Sequence, residues 1–293
     1  ASLVDGIFIG NYVGVTALAA VNLIIPITTL LFGVSMMVSI GGSVRAGKYF
    51  GENKTQAASA IFSKTMLFMI AYGVLVVGLG LLLETKIFTA LGATPELFPV
   101  MSEYYRIIMP FLLAQFIVIQ IYFFIRMNGF PNLAAAILII GAAANIVLDY
   151  LFIAVYGWGL TGAALATGLS ELLSLMVGLL YFWLPKRRLH LKLRQKNWRE
   201  VFQAAYNGIS EFINEVSGAI IAFVFNWMLI QRAGVVGVAA ITLVNYLLFV
   251  GFMIYFSISD SIQVMISQNF GARKKERIRA FFRTACFFIA GFS

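Results

Sequence analysis

Residues Leu133–Val155 read LAAAILIIGAAANIVLDYLFIAV, with Asp149 as the single charged side chain. A helix needs about 20 residues to cross about 30 Å of hydrocarbon, and this run is long enough. Ile61–Leu83, Pro110–Ile125 and Phe212–Ile230 approach or exceed the same length. These stretches are apolar on every face, whereas barrel strands would be short segments of alternating polarity. The sequence therefore predicts an all-α integral membrane protein, a bundle of spanning helices in a lipid bilayer. Composition agrees: 61% of residues are hydrophobic, 11% are charged and the mean hydropathy is +0.93. Soluble domains are about half apolar and about a quarter charged.

The net charge of +9 concentrates in two stretches, Lys186–Arg199 and Arg273–Arg283. This clustering reads as topology rather than as a nucleic-acid surface, so no nucleic-acid partner is expected. If alternate loops lie on one side, that side holds every Lys and Arg except Lys86, Arg106 and Arg232. The positive-inside pattern makes those loops cytoplasmic and the protein a multi-pass component of the cell (inner) membrane. It places Lys186–Arg199 inside and Gly157–Gly159 and Gly234–Gly237 outside. One cysteine, Cys286, excludes an internal disulfide, and the lone His190 sits among loop Lys and Arg with no ligand-spaced partner. Neither a structural metal nor a cofactor is expected, and without a nucleophile–base or nucleotide motif the chain does not read as an enzyme.

Breaks at Gly, Pro and charge clusters divide the chain into nine apolar segments, near 1–10, 16–49, 56–83, 99–127, 132–155, 160–184, 199–231, 235–269 and 276–293. A shift of about 220 residues aligns the chain with itself. Gly14, Ala19, Ala20 and Leu23 fall on Gly234, Ala239, Ala240 and Leu243, and Ser39, Phe50, Gly51, Lys54, Phe62 and Phe68 fall on Ser259, Phe270, Gly271, Lys274, Phe282 and Phe288. A repeat of six helices returns to the same side of the membrane, so the halves are parallel repeats about an axis along the membrane normal. The expected layout is an N-terminal lobe over 1–184, a cytoplasmic linker over 185–198 and a partial C-terminal lobe over 199–293.

Ionisable groups at membrane depth are costly, which makes Asp5, Asp149, Glu171, Glu211, Glu215 and Asp260 the candidate functional residues. Gly141, Asn145 and Asp149 form one stripe at helical spacing. Packing through small residues and an interhelical hydrogen bond would account for the glycine and the asparagine. A carboxylate in the stripe points to a cation or proton site. Asn207, Glu211 and Glu215 form a second stripe, with the two carboxylates about 6 Å apart along the axis. Glu211, Glu215, Asp260 and Glu171 are candidate substrate or proton sites. Pro26, Gly33, Gly41 and Gly42 are expected to make the second segment bendable.

Three motifs carry a resemblance. They are Asp5-Gly-Ile-Phe-Ile-Gly10 followed by Ala17-Leu-Ala-Ala-Val21 and Pro26; Arg126-x-x-Gly129-x-Pro131; and Asn145-Ile-Val-Leu-Asp149 followed by Gly159-x-x-Gly-Ala-Ala-x-Ala-Thr167. Together they make the chain resemble the multidrug and toxic compound extrusion (MATE) transporters. The resemblance implies two six-helix lobes, with helix 1 clipped and helices 10–12 absent from this sequence. It also implies a cation-coupling cluster of Asp5, Asn145, Asp149 and, from the next segment, Thr167. The expected function is a secondary active, Na+- or H+-coupled antiporter, a monomer exporting amphipathic organic cations or drugs by alternating access. Two alternatives stand beside it: a lipid-linked oligosaccharide or lipid flippase of the same superfamily, and a non-transporting membrane receptor or scaffold. The scarcity of Lys and Arg within the segments disfavours a flippase, which would have to bind a pyrophosphate.

Overall fold

The structure is a computed structural model that describes residues 2–194, 196–218, 220–221, 251 and 255–292. Helix α1 (Ser2–Phe8) continues as a π-helical turn, Ile9–Val13, and Gly14 at φ 121° breaks the chain before α2 (Val15–Gly51). There follow α3 (Thr55–Leu82), the short α4 (Glu84–Ala90), α5 (Leu97–Met127) and α6 (Pro131–Asp149). A second π-helical turn, Tyr150–Val155, extends α6, and α7 (Gly159–Leu179) ends in a 3-10 turn, Leu180–Trp183. Helix α8 (Arg199–Asn207), helical stretches over 209–218 and 255–271, and α9 (Lys275–Phe292) complete the described elements. Five of them are long and apolar enough to span a bilayer: α2, α3, α5, α6 with its π-turn, and α7 with its 3-10 turn.

Helix α5 is the hub of the first bundle, packed against α7, α2, α3 and α6. Of its most apolar window 56% is buried, against 39% or less in the other four spans. Lipid tails supply no hydrophobic drive for helix association, so close approach through small residues matters. Added β-carbons at Gly168 or Gly42 would meet the rings of Phe111 and Phe124 of α5. Gly73 and Gly80 of α3 likewise admit Leu113 and Met109.

Nine apolar segments were expected, and the described parts of all nine are helical; 222–250, in the seventh and eighth, lie outside the described residues, as do Gly234, Ala239, Ala240 and Leu243. Helix α2 is continuous through Pro26 and extends over about 55 Å. Its glycines serve close packing: β-carbons at Gly41 and Gly208 would each strike backbone of the other's helix. Helix α4 was not foreseen, because Glu84 and Lys86 read as a loop; it is held by Glu84, which accepts hydrogen bonds from Ser102 and, at 2.8 Å, from Arg106 Nε. The stretch after Leu184 is a strap pinned along α3. The Ser59 hydroxyl donates to the Arg188 carbonyl at 2.8 Å and accepts the His190 amide at 3.3 Å, and Ser63 does the same for His190 and Lys192 at 3.0 Å each.

The 220-residue repeat is visible in the backbone of the turns that follow α2 and the stretch 255–271. Asn53 and Arg273 both have φ 58°. The amides of Glu52, Asn53 and Lys54 donate to the carbonyls of Lys48, Phe50 and Tyr49, and those of Ala272, Arg273 and Lys274 to Gln268, Phe270 and Asn269. The two turns also face each other. A β-carbon on Gly51 would strike the Gln268 carbonyl, and one on Gly271 the Lys48 carbonyl, as a pseudo-two-fold contact requires. Around it lie two ion pairs between the first bundle and the later helices: Lys64 Nζ–Glu200 Oε2 at 2.6 Å and Arg126 Nη1–Asp260 Oδ2 at 2.7 Å. Gln268 Nε2 adds a hydrogen bond to the Met127 carbonyl at 2.8 Å.

Candidate cation site

Gly141, Asn145 and Asp149 recur every fourth residue of α6 and are its buried polar and small stripe, with Asn145 1% and Asp149 0% exposed. Gly141 makes the stripe possible, since a β-carbon there would collide with Ser174 of α7. With α7 drawn in, Thr167 reaches Asn145, whose Nδ2 lies 3.5 Å from Thr167 Oγ1. Helix α1 adds Asp5, and Thr167 Oγ1 donates to Asp5 Oδ2 at 3.3 Å. The Asp5 and Asp149 carboxyls are close enough to interact directly. The structure thus brings together Asp5, Asn145, Asp149 and Thr167 from three helices.

What these side chains lack is donors. Asp5 Oδ1, Asn145 Oδ1 and both carboxylate oxygens of Asp149 are buried without a hydrogen-bond partner. Buried acceptors are normally satisfied, and an orphan asks for a reason, an ion or a water being the common ones. Four acceptor oxygens of three residues, two of them carboxylates, suit a small hard cation or a shared proton. The helices change register beside the cluster, as Asp149 immediately precedes one π-helical turn and the other begins four residues after Asp5. The two turns touch. π-Turns inside helices are frequently found at functional sites. Nothing in the sequence signalled them, because neither stretch departs from ordinary helical composition.

Asp5 and Thr167 open into a cavity of about 450 Å3 that Glu171 and Glu215 also line. Its walls include Ile24, Phe32, Ile108, Phe111 and Leu112, its neutral polar groups include Asn22, Thr28 and Gln115, and no Lys, Arg or His lines it among the described residues. Glu215 comes from the stretch 209–218, which packs on α2 at Gly33: a β-carbon there would lie 3.2 Å from Phe212 and 3.5 Å from Glu215. Glu211 lies near Asp260 and Glu215 but lines no part of this cavity. Asp260 is elsewhere, paired with Arg126, which also contacts Gln263 and stacks over Tyr122 and Phe123. Of the six acids singled out in the sequence, Asp5, Glu171 and Glu215 line one cavity and Asp149 lies behind it with Asp5, while Glu211 and Asp260 do not line it.

A larger cavity, about 680 Å3, lies between α2 and the stretch 255–271 and is no better candidate. Ser259, Ile262, Gln263, Ile266, Ser267 and Phe270 line it. Shifted back by 220 residues they become Ser39, Gly42, Ser43, Ala46, Gly47 and Phe50, all buried in the first bundle, where α3 and α5 cover them. The cavity is therefore a helix-packing face uncovered among the described residues.

The model of the MatE family matches residues 1–151 and 212–293. The chain belongs to the MatE family. This MatE chain is 24% identical over 300 residues to the probable multidrug resistance protein YoeA of Bacillus subtilis, covering 96% of the chain and 62% of that relative. It is 23% identical over 272 residues to the multidrug export protein MepA of Staphylococcus aureus strain N315, covering 91% and 59%. Its fold matches the crystal structure of a point mutant of the Vibrio cholerae MATE transporter VcmN, with a TM-score of 0.88, 23% identity, and 99% and 66% coverage. The MatE chain thus spans about three-fifths of the length of these curated relatives. The matched stretches hold Asp5, Asn145, Asp149, Glu215 and Asp260, while Thr167, Glu171 and Glu211 lie between them.

Proposed function

We propose that this MatE chain works in a cation-coupled antiporter that exports amphipathic organic cations, with Asp5, Asn145, Asp149 and Thr167 as the coupling site. The observation that carries the reading is the set of buried acceptor oxygens without donors among the described residues, joined through Asp5 to an acid-lined, largely apolar cavity. Na+ or H+ entering there supplies the missing charge. An ion drives transport only by binding one of two states better, and the contacts between α2 and the later helices are what two lobes would break and remake during alternating access. We further propose a two-lobe division, residues 1–184 and 199–293, with the Lys/Arg-rich strap between them on the cytoplasmic side. A cavity with no cationic side chain among the described residues supports efflux of cations over carriage of a pyrophosphate-linked lipid.

The test is exchange in proteoliposomes holding the full-length protein. Asp5→Asn and Asp149→Asn should each abolish ion-driven efflux while leaving insertion intact, because an amide is tolerated in the bundle yet cannot carry the charge. Normal drug extrusion by both variants would reject the coupling site.

A further inference from the structure

Glu171 and Glu215 are left over once the coupling site has been assigned. Glu171 lies one helical turn beyond Thr167 on α7, and Glu215 enters from the stretch 209–218, behind the close contact at Gly33. Neither makes a hydrogen bond or ion pair with a described residue, and both line the cavity that reaches Asp5. Unpaired carboxylates at membrane depth are maintained where a cavity supplies water or a cationic ligand. The aliphatic and aromatic walls are unlike a water channel and suit an apolar body about the size of a small drug.

Charge complementarity points to the class of that ligand. Beyond the Asp5 and Asp149 pair, two further carboxylates belong to this space, Glu171 from α7 and Glu215 from the stretch 209–218. A monocation would compensate only one of these half-buried carboxylates and leave the other without a charge partner. We infer that the preferred cargo is an organic dication whose two cationic centres are separated by an apolar spacer, one held by Glu171 and the other by Glu215. This rests on the reading of the protein as an exporter of organic cations and narrows it. It also means that cargo binds best in the state that brings both carboxylates to one cavity, so that separation of the two elements releases it.

The experiment is equilibrium binding to the purified full-length protein by titration calorimetry. The probes are decyltrimethylammonium and decane-1,10-bis(trimethylammonium), which share a ten-carbon chain and whose charges do not titrate. The dication should bind about tenfold more tightly or better, the size of one added charge-paired contact. Glu171→Gln and Glu215→Gln should each bring the two affinities to near parity through loss of dication binding, with monocation binding, which also reports folding, retained. The double variant should bind both poorly. Equal affinities in the unmodified protein, or a preference that survives both single variants, would overturn the dication. Binding of neither probe would overturn the organic-cation reading as well. An Asp149→Asn variant that loses ion coupling but keeps the tenfold preference would leave this inference standing.

Discussion

Phe62 and Phe282 occupy equivalent positions of the repeat, and their surroundings are opposite. Phe62 is 1% exposed, packed against Phe124 of α5 and Phe182 at the end of α7, whereas Phe282 is 57% exposed. Phe50 and Phe270, at 8% and 62%, repeat the contrast. Backbone conformation does not explain it, because the turns at 51–54 and 271–274 share their hydrogen bonds and their φ of 58°. The difference is what lies alongside: α5 covers the first copy, and no described residue takes its place over the second. Chemistry divides in the same way. The repeat position of Asp5 is Phe225, and those of Arg45, Lys48 and Glu52 are Met265, Gln268 and Ala272. The repeat preserves a helix-and-turn geometry and a pseudo-two-fold contact, while the residue identities at these positions are not preserved.

The largest effect is expected where the two copies touch. Gly271→Leu drives a side chain into the Lys48 backbone. Overpacking costs about 1–3 kcal/mol, more against a carbonyl that cannot move. We expect a fall in the melting temperature of roughly 5 °C, with Gly78→Leu, which faces open space, unchanged. Equal melting temperatures for the two would remove the pseudo-two-fold contact from the account.

A middling effect belongs to the flanking ion pair. Asp260→Asn leaves Arg126, whose side chain is 11% exposed, with Gln263 and the two rings. Because Asp260 is 36% exposed, the loss is screened to about 1 kcal/mol. That corresponds to about a fivefold faster alkylation of a cysteine placed at the buried Ser267 beside Met127. An unchanged rate would mean that the pair does not hold the two parts together.

Glu52→Ala, which makes the first turn match the second at that position, should be the mildest. Glu52 meets Lys54 at 2.8 Å and Lys48 at 3.9 Å on an exposed turn, and pairs of this kind contribute little. No measurable change in melting temperature is expected; a clear fall would show that charge, and not only backbone, shapes the turn.

The helices and the repeat were legible because hydrocarbon demands long apolar runs and because a fixed offset needs only residue identities. Asn145 and Asp149 stood out by the same logic, as a polar stripe at four-residue spacing on an apolar helix. Asp5 and Thr167 needed the family resemblance, since nothing local says which helix meets α6. The π-turns, the pinning of the strap by Ser59 and Ser63, and the pairing of Arg126 with Asp260 were not legible. Each depends on a neighbour more than a hundred residues away or on a backbone register that composition does not encode. Gly41 shows the same limit: its close contact with the backbone of Ala204 could not be read from the sequence.

The central claim is that Asp5, Asn145, Asp149 and Thr167 hold the coupling cation, and direct binding tests it. Radiolabelled Na+ should bind the full-length protein at pH 8 and progressively less towards pH 5, because protons compete for the same two carboxylates. Asp149→Asn should abolish binding, and Asn145→Ala should weaken Na+ binding more than proton-driven transport, since it removes an oxygen ligand and no charge. Undiminished Na+ binding in Asp149→Asn would place the ion elsewhere and contradict the claim.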